Sequence, residues 1–166
     1  MTSKGTLFLL GISFFLFDAC YSFKAASIPV EIESFYVEEF DNKTTNSLPI
    51  LQQLFTEKLK NKILNESRLT FNDVDPDIEF SGSISGYRIS SVAPEVGSVA
   101  AFNRLEITVS VTFDNNLNED ASWEQRFSFF ENYERDVNIN DIQEDLIDTI
   151  NDQLVEDIFN KAFTSW

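Results

Sequence analysis

Leu105-Glu106-Ile107-Thr108-Val109-Ser110-Val111-Thr112-Phe113 alternates apolar and polar residues without a break. That period of two is the mark of a β-strand with one face buried and one face polar. The stretches on either side repeat it. Upstream, Ile78, Phe80, Gly82 and Ile84 alternate with Glu79, Ser81, Ser83 and Ser85. Gly86 then shifts the phase, as at a bulge, so that Tyr87 and Ile89 become the apolar positions. Downstream, Trp123, Phe127 and Phe129 alternate with Glu124, Arg126 and Ser128. The Asn-rich, acidic run Asp114–Asp120 suits a hairpin turn between the second and third strands.

A sheet with one apolar face needs a cover, and two amphipathic helices supply it. Leu51, Leu54, Phe55, Leu59, Ile63 and Leu64 fall at three- and four-residue spacing. With Ser47 as a candidate cap and Pro49 in the first turn, the spacing predicts a helix over 47–66. Ile142, Leu146, Ile150, Leu154 and Ile158 line a second stripe, broadened by Ile147, Val155 and Phe159. Asn140 and Gln143 are placed for a capping box, giving a helix over 140–163. Glu31–Phe40 reads as a first strand. The order is β-α-β-β-β-α: an α+β two-layer sandwich, with a four-stranded sheet covered on one face by two helices.

The N-terminus carries a different signal. Lys4 precedes an apolar run from Leu7 to Phe17, followed by Asp18-Ala19-Cys20. Eleven apolar residues are too few to span a bilayer, which takes about 20. The pattern is that of a secretory signal peptide. Cys20 is the single cysteine, so it has no disulfide partner within the chain. Residues 1–19 are expected to be a signal peptide and 20–29 a tether lipidated at Cys20. Residues 30–166 then form one domain. Stable anchoring needs two or more acyl chains, which a lipoprotein cysteine carries.

Composition removes several functions. With 28 acidic and 12 basic residues the net charge is −16, which opposes binding to nucleic acid or to an anionic membrane surface. Membrane attachment therefore falls to the acyl chains. The absence of histidine excludes a Ser-His-Asp triad, a Cys-His pair and a His-based zinc site. No cofactor is expected and the chain is not read as an enzyme.

Several pieces together resemble the lipopolysaccharide-assembly lipoprotein family LptE, in its Bacteroidetes-type form. They are Cys20-Tyr21-Ser22-Phe23 with Ala26-Ser27-Ile28; Phe55-Thr56-Glu57 with Leu59-Lys60; Phe80-Ser81-Gly82 with Ile84 and Gly86-Tyr87; and Asn103-Arg104-Leu105 with Ile107-Thr108-Val109. The most specific is Gln153 to Ala162, near the terminal Trp166. The resemblance implies a lipoprotein on the periplasmic side of the outer membrane. It would act as plug and assembly subunit of an LptD-type β-barrel that delivers lipopolysaccharide to the cell surface. Family members that touch the glycolipid are thought to use basic loop residues, and this acidic chain departs from that pattern.

Two features are candidates for partner or lipid contact. Ser90–Arg104 is the longest link between two strong strands, and it holds Val96, Val99 and Phe102. It reads either as a loop laid against a barrel wall or lipid, or as a hairpin whose apolar residues fold back on the sheet. Arg88 and Arg104 flank it, suited to a phosphate or to neighbouring carboxylates. The acidic clusters, Asp73 to Glu79 and Asp141 to Asp152, lack the loop pattern of a calcium site and read as solvated faces. A rival reading is a free-standing outer-membrane lipoprotein that binds a small apolar ligand or lipid between sheet and helices.

Overall fold

The computed structural model describes residues 28–93 and 101–164. Three long strands carry the sheet: β4 (Ile78–Val92), β5 (Phe102–Asn115) and β6 (Trp123–Glu134). They form an antiparallel meander. The alternation in β5 holds throughout: Leu105, Ile107, Val109, Val111 and Phe113 are all at most 1% exposed, while the residues between them face the other side. The register between β4 and β5 slips between Ile84 and Gly86, where the sequence predicts a bulge.

The N-terminal half departs in detail from the sequence reading. The expected strand over 31–40 is realised only as β1 (Ser34–Val37), and a second short piece, β2 (Asp41–Asn42), follows just beyond it. Both lie parallel to β4. The break has a cause at Phe40. Its backbone N–H donates to Thr56 Oγ1 of the first helix (3.1 Å) rather than to the ladder, and its ring turns into the core against Phe55 (4.9 Å). Gly82 makes room for that ring: a Cβ there would lie 2.9 Å from Phe40 Cε1 and 2.1 Å from the Ser110 carbonyl oxygen. β3 (Thr70–Phe71), too short for a period to show, pairs with the outer edge of β1. The order β3-β1-β4-β5-β6, with β2 also on β4, makes six strands where four were expected.

Helix α1 spans Leu51–Glu66 and α2 spans Ile139–Phe163. α1 starts later than the spacing predicts because Ser47 is engaged elsewhere: its hydroxyl lies 2.9 Å from Asn42 Nδ2 and 2.6 Å from Thr44 Oγ1, closing the preceding loop. α2 is capped two residues early, by Asn138 Oδ1 accepting from the Asn140 N–H (3.1 Å). Gln143, expected in the capping box, instead donates to Tyr87 Oη (2.6 Å) and ties α2 to β4. The helices run parallel, clasped by Lys58 to Asp148 (2.7 Å) and Asp152 (2.5 Å) and by Lys62 to Glu156.

The core lies between the helices and one face of the sheet. Phe35, Phe40, Phe55, Phe80, Phe113 and Phe163 are each below 2% exposed there, with Leu154 and Ile158 of α2 fully buried. The other face of β4–β6 carries a polar carpet. Ser85 bonds Ser110 (3.2 Å) and Thr108 bonds Ser128 (3.1 Å) across it.

Candidate partner-contact surface

Alternation decides which side chains reach the uncovered face. On β5 the even-numbered residues do, so Phe102, Arg104 and Glu106 all stand on it. The register places Val92 and Glu134 beside Phe102, Ser90 and Asn132 beside Arg104, and Arg88 and Phe130 beside Glu106. Arg88 and Arg104 are thus diagonal neighbours on one face, at the end of the sheet away from the β5–β6 turn.

Arg104 is held in place. Its Nε donates to Asn132 Oδ1 (3.0 Å), and its guanidinium lies 3.6 Å from the centre of the Phe130 ring. A cation over an aromatic face is stabilising even when partly wet. Phe130 is 40% exposed and Phe102 is 37% exposed, so two aromatic rings and a fixed cation face outward together. Arg88 meets a carboxylate, with Nη2 at 3.2 and 3.1 Å from the two oxygens of Glu106. Of the two roles the sequence offered Arg88, pairing with a carboxylate is the one occupied here.

The link Ser90–Arg104 is shorter than it reads. Ser90–Val92 and Phe102–Arg104 belong to the strands. Val96 and Val99 lie outside the described residues, as does Cys20. Sequence reasoning missed Phe130 and Asn132. A signal was present: Phe130 follows Phe129 and occupies a polar-phase position of β6, so one of two adjacent aromatics must face out.

One carboxylate of the acidic run before β4 serves structure. Asp77 Oδ2 accepts from the backbone N–H groups of Glu33 and Ser34 (both 2.8 Å) and from Ser34 Oγ (3.0 Å), tying the start of β1 to the start of β4. The Glu33 and Ser34 N–H bonds hold the Asp77 carboxyl below its usual range, with desolvation acting against them. Glu79 shifts the other way. Burial pushes its carboxyl up, helped by the nearby charges of Glu38 and Asp114. Among the described residues, no group of three potential ligands is placed to hold a metal ion, and no helix is long and apolar enough to cross a membrane.

Space for a ligand was expected, on the rival reading, between sheet and helices. Among the described residues, that layer holds Phe35, Phe40, Phe55, Phe80, Phe113 and Phe163, each below 2% exposed. An open cleft of about 370 Å³ lies instead on the helix layer, lined by Ile50, Leu54, Lys58, Glu144, Ile147 and Asn151 among others.

Residues 32–162, from just before β1 to the last turn of α2, match the family described as LptE, lipopolysaccharide-assembly. No curated protein sequence matches the chain. Solved structures share the fold at low identity. Uncharacterised lipoprotein B from Nitrosomonas europaea is 15% identical, with 85% of this chain and 88% of that one covered and a TM-score of 0.54. A minor lipoprotein from Acinetobacter baumannii is 11% identical, with 78% and 91% covered and a TM-score of 0.53. PelC from Paraburkholderia phytofirmans, a dodecamer, is 9% identical, with 82% and 92% covered and a TM-score of 0.52.

Proposed function

We propose that this chain, which belongs to the lipopolysaccharide-assembly family LptE, is the plug and assembly subunit of an LptD-type β-barrel. It is anchored by lipid at Cys20 on the periplasmic side of the outer membrane. The observation that carries this reading is the family match across both layers of the sandwich. Membership makes the chain a lipopolysaccharide-assembly lipoprotein; the barrel, the membrane and the contact surface are the finer steps.

Two features support those steps. The lumen of an outer-membrane barrel is polar, and the hydroxyl pairs Ser85–Ser110 and Thr108–Ser128 give the middle of the uncovered face a polar surface suited to such a wall. At one end of that face, Phe102 and the Arg104–Phe130 stack provide apolar area and an oriented cation. Aromatic and arginine side chains are the types that dominate protein interfaces. Arg104 also has the fork geometry to meet a lipopolysaccharide phosphate, with Arg88 beside it once released from Glu106.

Photocrosslinking in living cells tests the reading. Photoreactive residues at Phe102, Val96 and Val99 are expected to capture the LptD-type barrel. The same residue at Leu117, 52% exposed in the β5–β6 turn at the opposite end of the sheet, should capture far less. Cys20→Ser should abolish acyl labelling and barrel capture together. Absence of the barrel from every site, with the lipoprotein fractionating alone, would overturn the plug role.

A further inference from the structure

β6 ends the sheet. Among the described residues, nothing pairs with its outer edge. Its twelve residues pair with β5 in a continuous register from Glu134 to Trp123, with no bulge and no proline. Natural edge strands are usually shortened, bulged or interrupted, because their free N–H and C=O groups invite another strand. This one is guarded only by charge, at Glu124, Arg126, Glu131 and Glu134, which a partner strand must complement to pair with it.

Which groups are free follows from the ladder. Arg135 N–H donates to the Ala101 carbonyl (3.1 Å), which makes Ala101 and Arg135 a directly bonded pair. Such pairs recur at every second residue, so the odd-numbered residues of β6 bond to β5. The even-numbered ones, Glu124, Arg126, Ser128, Phe130, Asn132 and Glu134, turn their N–H groups to the open edge. These are also the residues whose side chains stand on the uncovered face.

We propose that this edge pairs with the β6 edge of a second copy of the chain, antiparallel, about a two-fold axis at Phe130. That register sets Phe130 against Phe130, Ser128 against Asn132 and Arg126 against Glu134, the last two twice by symmetry. On the helix side it sets Phe127 against Tyr133. The charges are complementary where they meet, and among the described residues neither Arg126 nor Glu134 enters an ion pair within its own chain. Arg104 already lies over Phe130 and would flank the central ring pair in both copies. Glu124 falls opposite Asp136, beyond the end of the strand, so the pairing is bounded to its central part.

The net charge of −16 opposes any self-association, and two facts limit that opposition. The carboxylates of α2 nearest the other helix, Asp148, Asp152 and Glu156, are turned to Lys58 and Lys62 of α1, away from β6. At about 0.15 M salt the screening length is near 8 Å, so charges across the two domains scarcely interact while adjacent strands still do. A two-fold pair is isologous and closed, which leaves no further open edge to propagate. The plug reading does not require this dimer, and the dimer does not require the plug reading.

The test uses the full-length lipoprotein in mild detergent, with the protein mass resolved from the micelle by light scattering. The wild type is expected at the mass of two chains at about 0.15 M salt. Arg126→Glu replaces two attractive contacts by two repulsive ones and should weaken association on the order of tenfold or more. Arg126→Glu combined with Glu134→Arg should restore it. Phe130→Pro removes an N–H that points to the open edge, leaves the β5 ladder intact, and should give one chain. A wild type of one chain mass at all concentrations overturns the proposal. So does a dimer indifferent to Arg126→Glu, or a double variant that stays monomeric.

Discussion

Replacing Gly82 by alanine should be among the most damaging one-carbon changes available in this chain. The added Cβ would stand 2.1 Å from the carbonyl oxygen of Ser110 and 2.9 Å from a ring carbon of Phe40. The first contact is with backbone, so no rotamer relieves it; β4 and β5 must part where their ladder is regular. The Gly82 φ of +154° is one that residues with a Cβ rarely adopt. Backbone strain of this kind costs about 1–3 kcal/mol, and overpacking typically another 1–3. The sum, about 2–6 kcal/mol, compares with a total stability of ~5–15 for a domain. At roughly 2–4 °C per kcal/mol, the melting temperature should fall by about 4–24 °C. Thermal and urea unfolding would measure the loss, with the urea slope unchanged. Phe40→Leu in the same background should recover a minor part, since it clears the ring and leaves the carbonyl. If Gly82→Ala melts within about a degree of wild type, the Phe40–Gly82–Ser110 packing described above is wrong.

Other changes read other layers. Leu154→Ala and Ile158→Ala empty fully buried positions of α2 and should each cost about 2–5 kcal/mol in urea unfolding; wild-type midpoints in both would place that stripe outside the core. Asp77 has its carboxyl pKa lowered by folding, so its contribution is present above the unfolded carboxyl pKa of about 3.9 and is lost as pH falls through the lower folded value. Asp77→Asn should therefore destabilise the protein at neutral pH and flatten the acid limb of its stability curve, and an acid limb identical to wild type would refute the clip.

The β4–β5–β6 meander was legible because each strand alternates and neighbours in sequence are neighbours in space. The α2 stripe was legible for a similar reason, since nine buried residues repeat at helical spacing. What escaped the sequence depends on contacts between distant segments. Nothing local says that Phe40 leaves its strand, because the cause is a hydroxyl sixteen residues on, at Thr56. The two-residue strand β3 is too short to carry a period. The caps failed for a related reason: Ser47 and Gln143 have the right chemistry, but Asn42 and Tyr87 compete for it. Arg104 stands out in the sequence as a cation flanking the β4–β5 link, yet its setting depends on Phe130 and Asn132, which only the β5–β6 register brings beside it.

The length of β4 has a consequence for reach. The described chain begins beside the start of this strand, where the Pro29 carbonyl accepts from Arg68 and Ser34 from β1 bonds Asp77. Phe102 stands at its far end, opposite Val92. Fourteen residue steps at about 3.3 Å put the two ends roughly 45 Å apart. The eight steps from Cys20 to Ile28 extend to at most about 29 Å. The hydrocarbon layer is only about 30 Å thick. Were the chain anchored at Cys20 as proposed above, the domain would be a ruler longer than that layer. On that proposal its arginine–aromatic end would reach the opposite surface while the anchor stayed in the near leaflet.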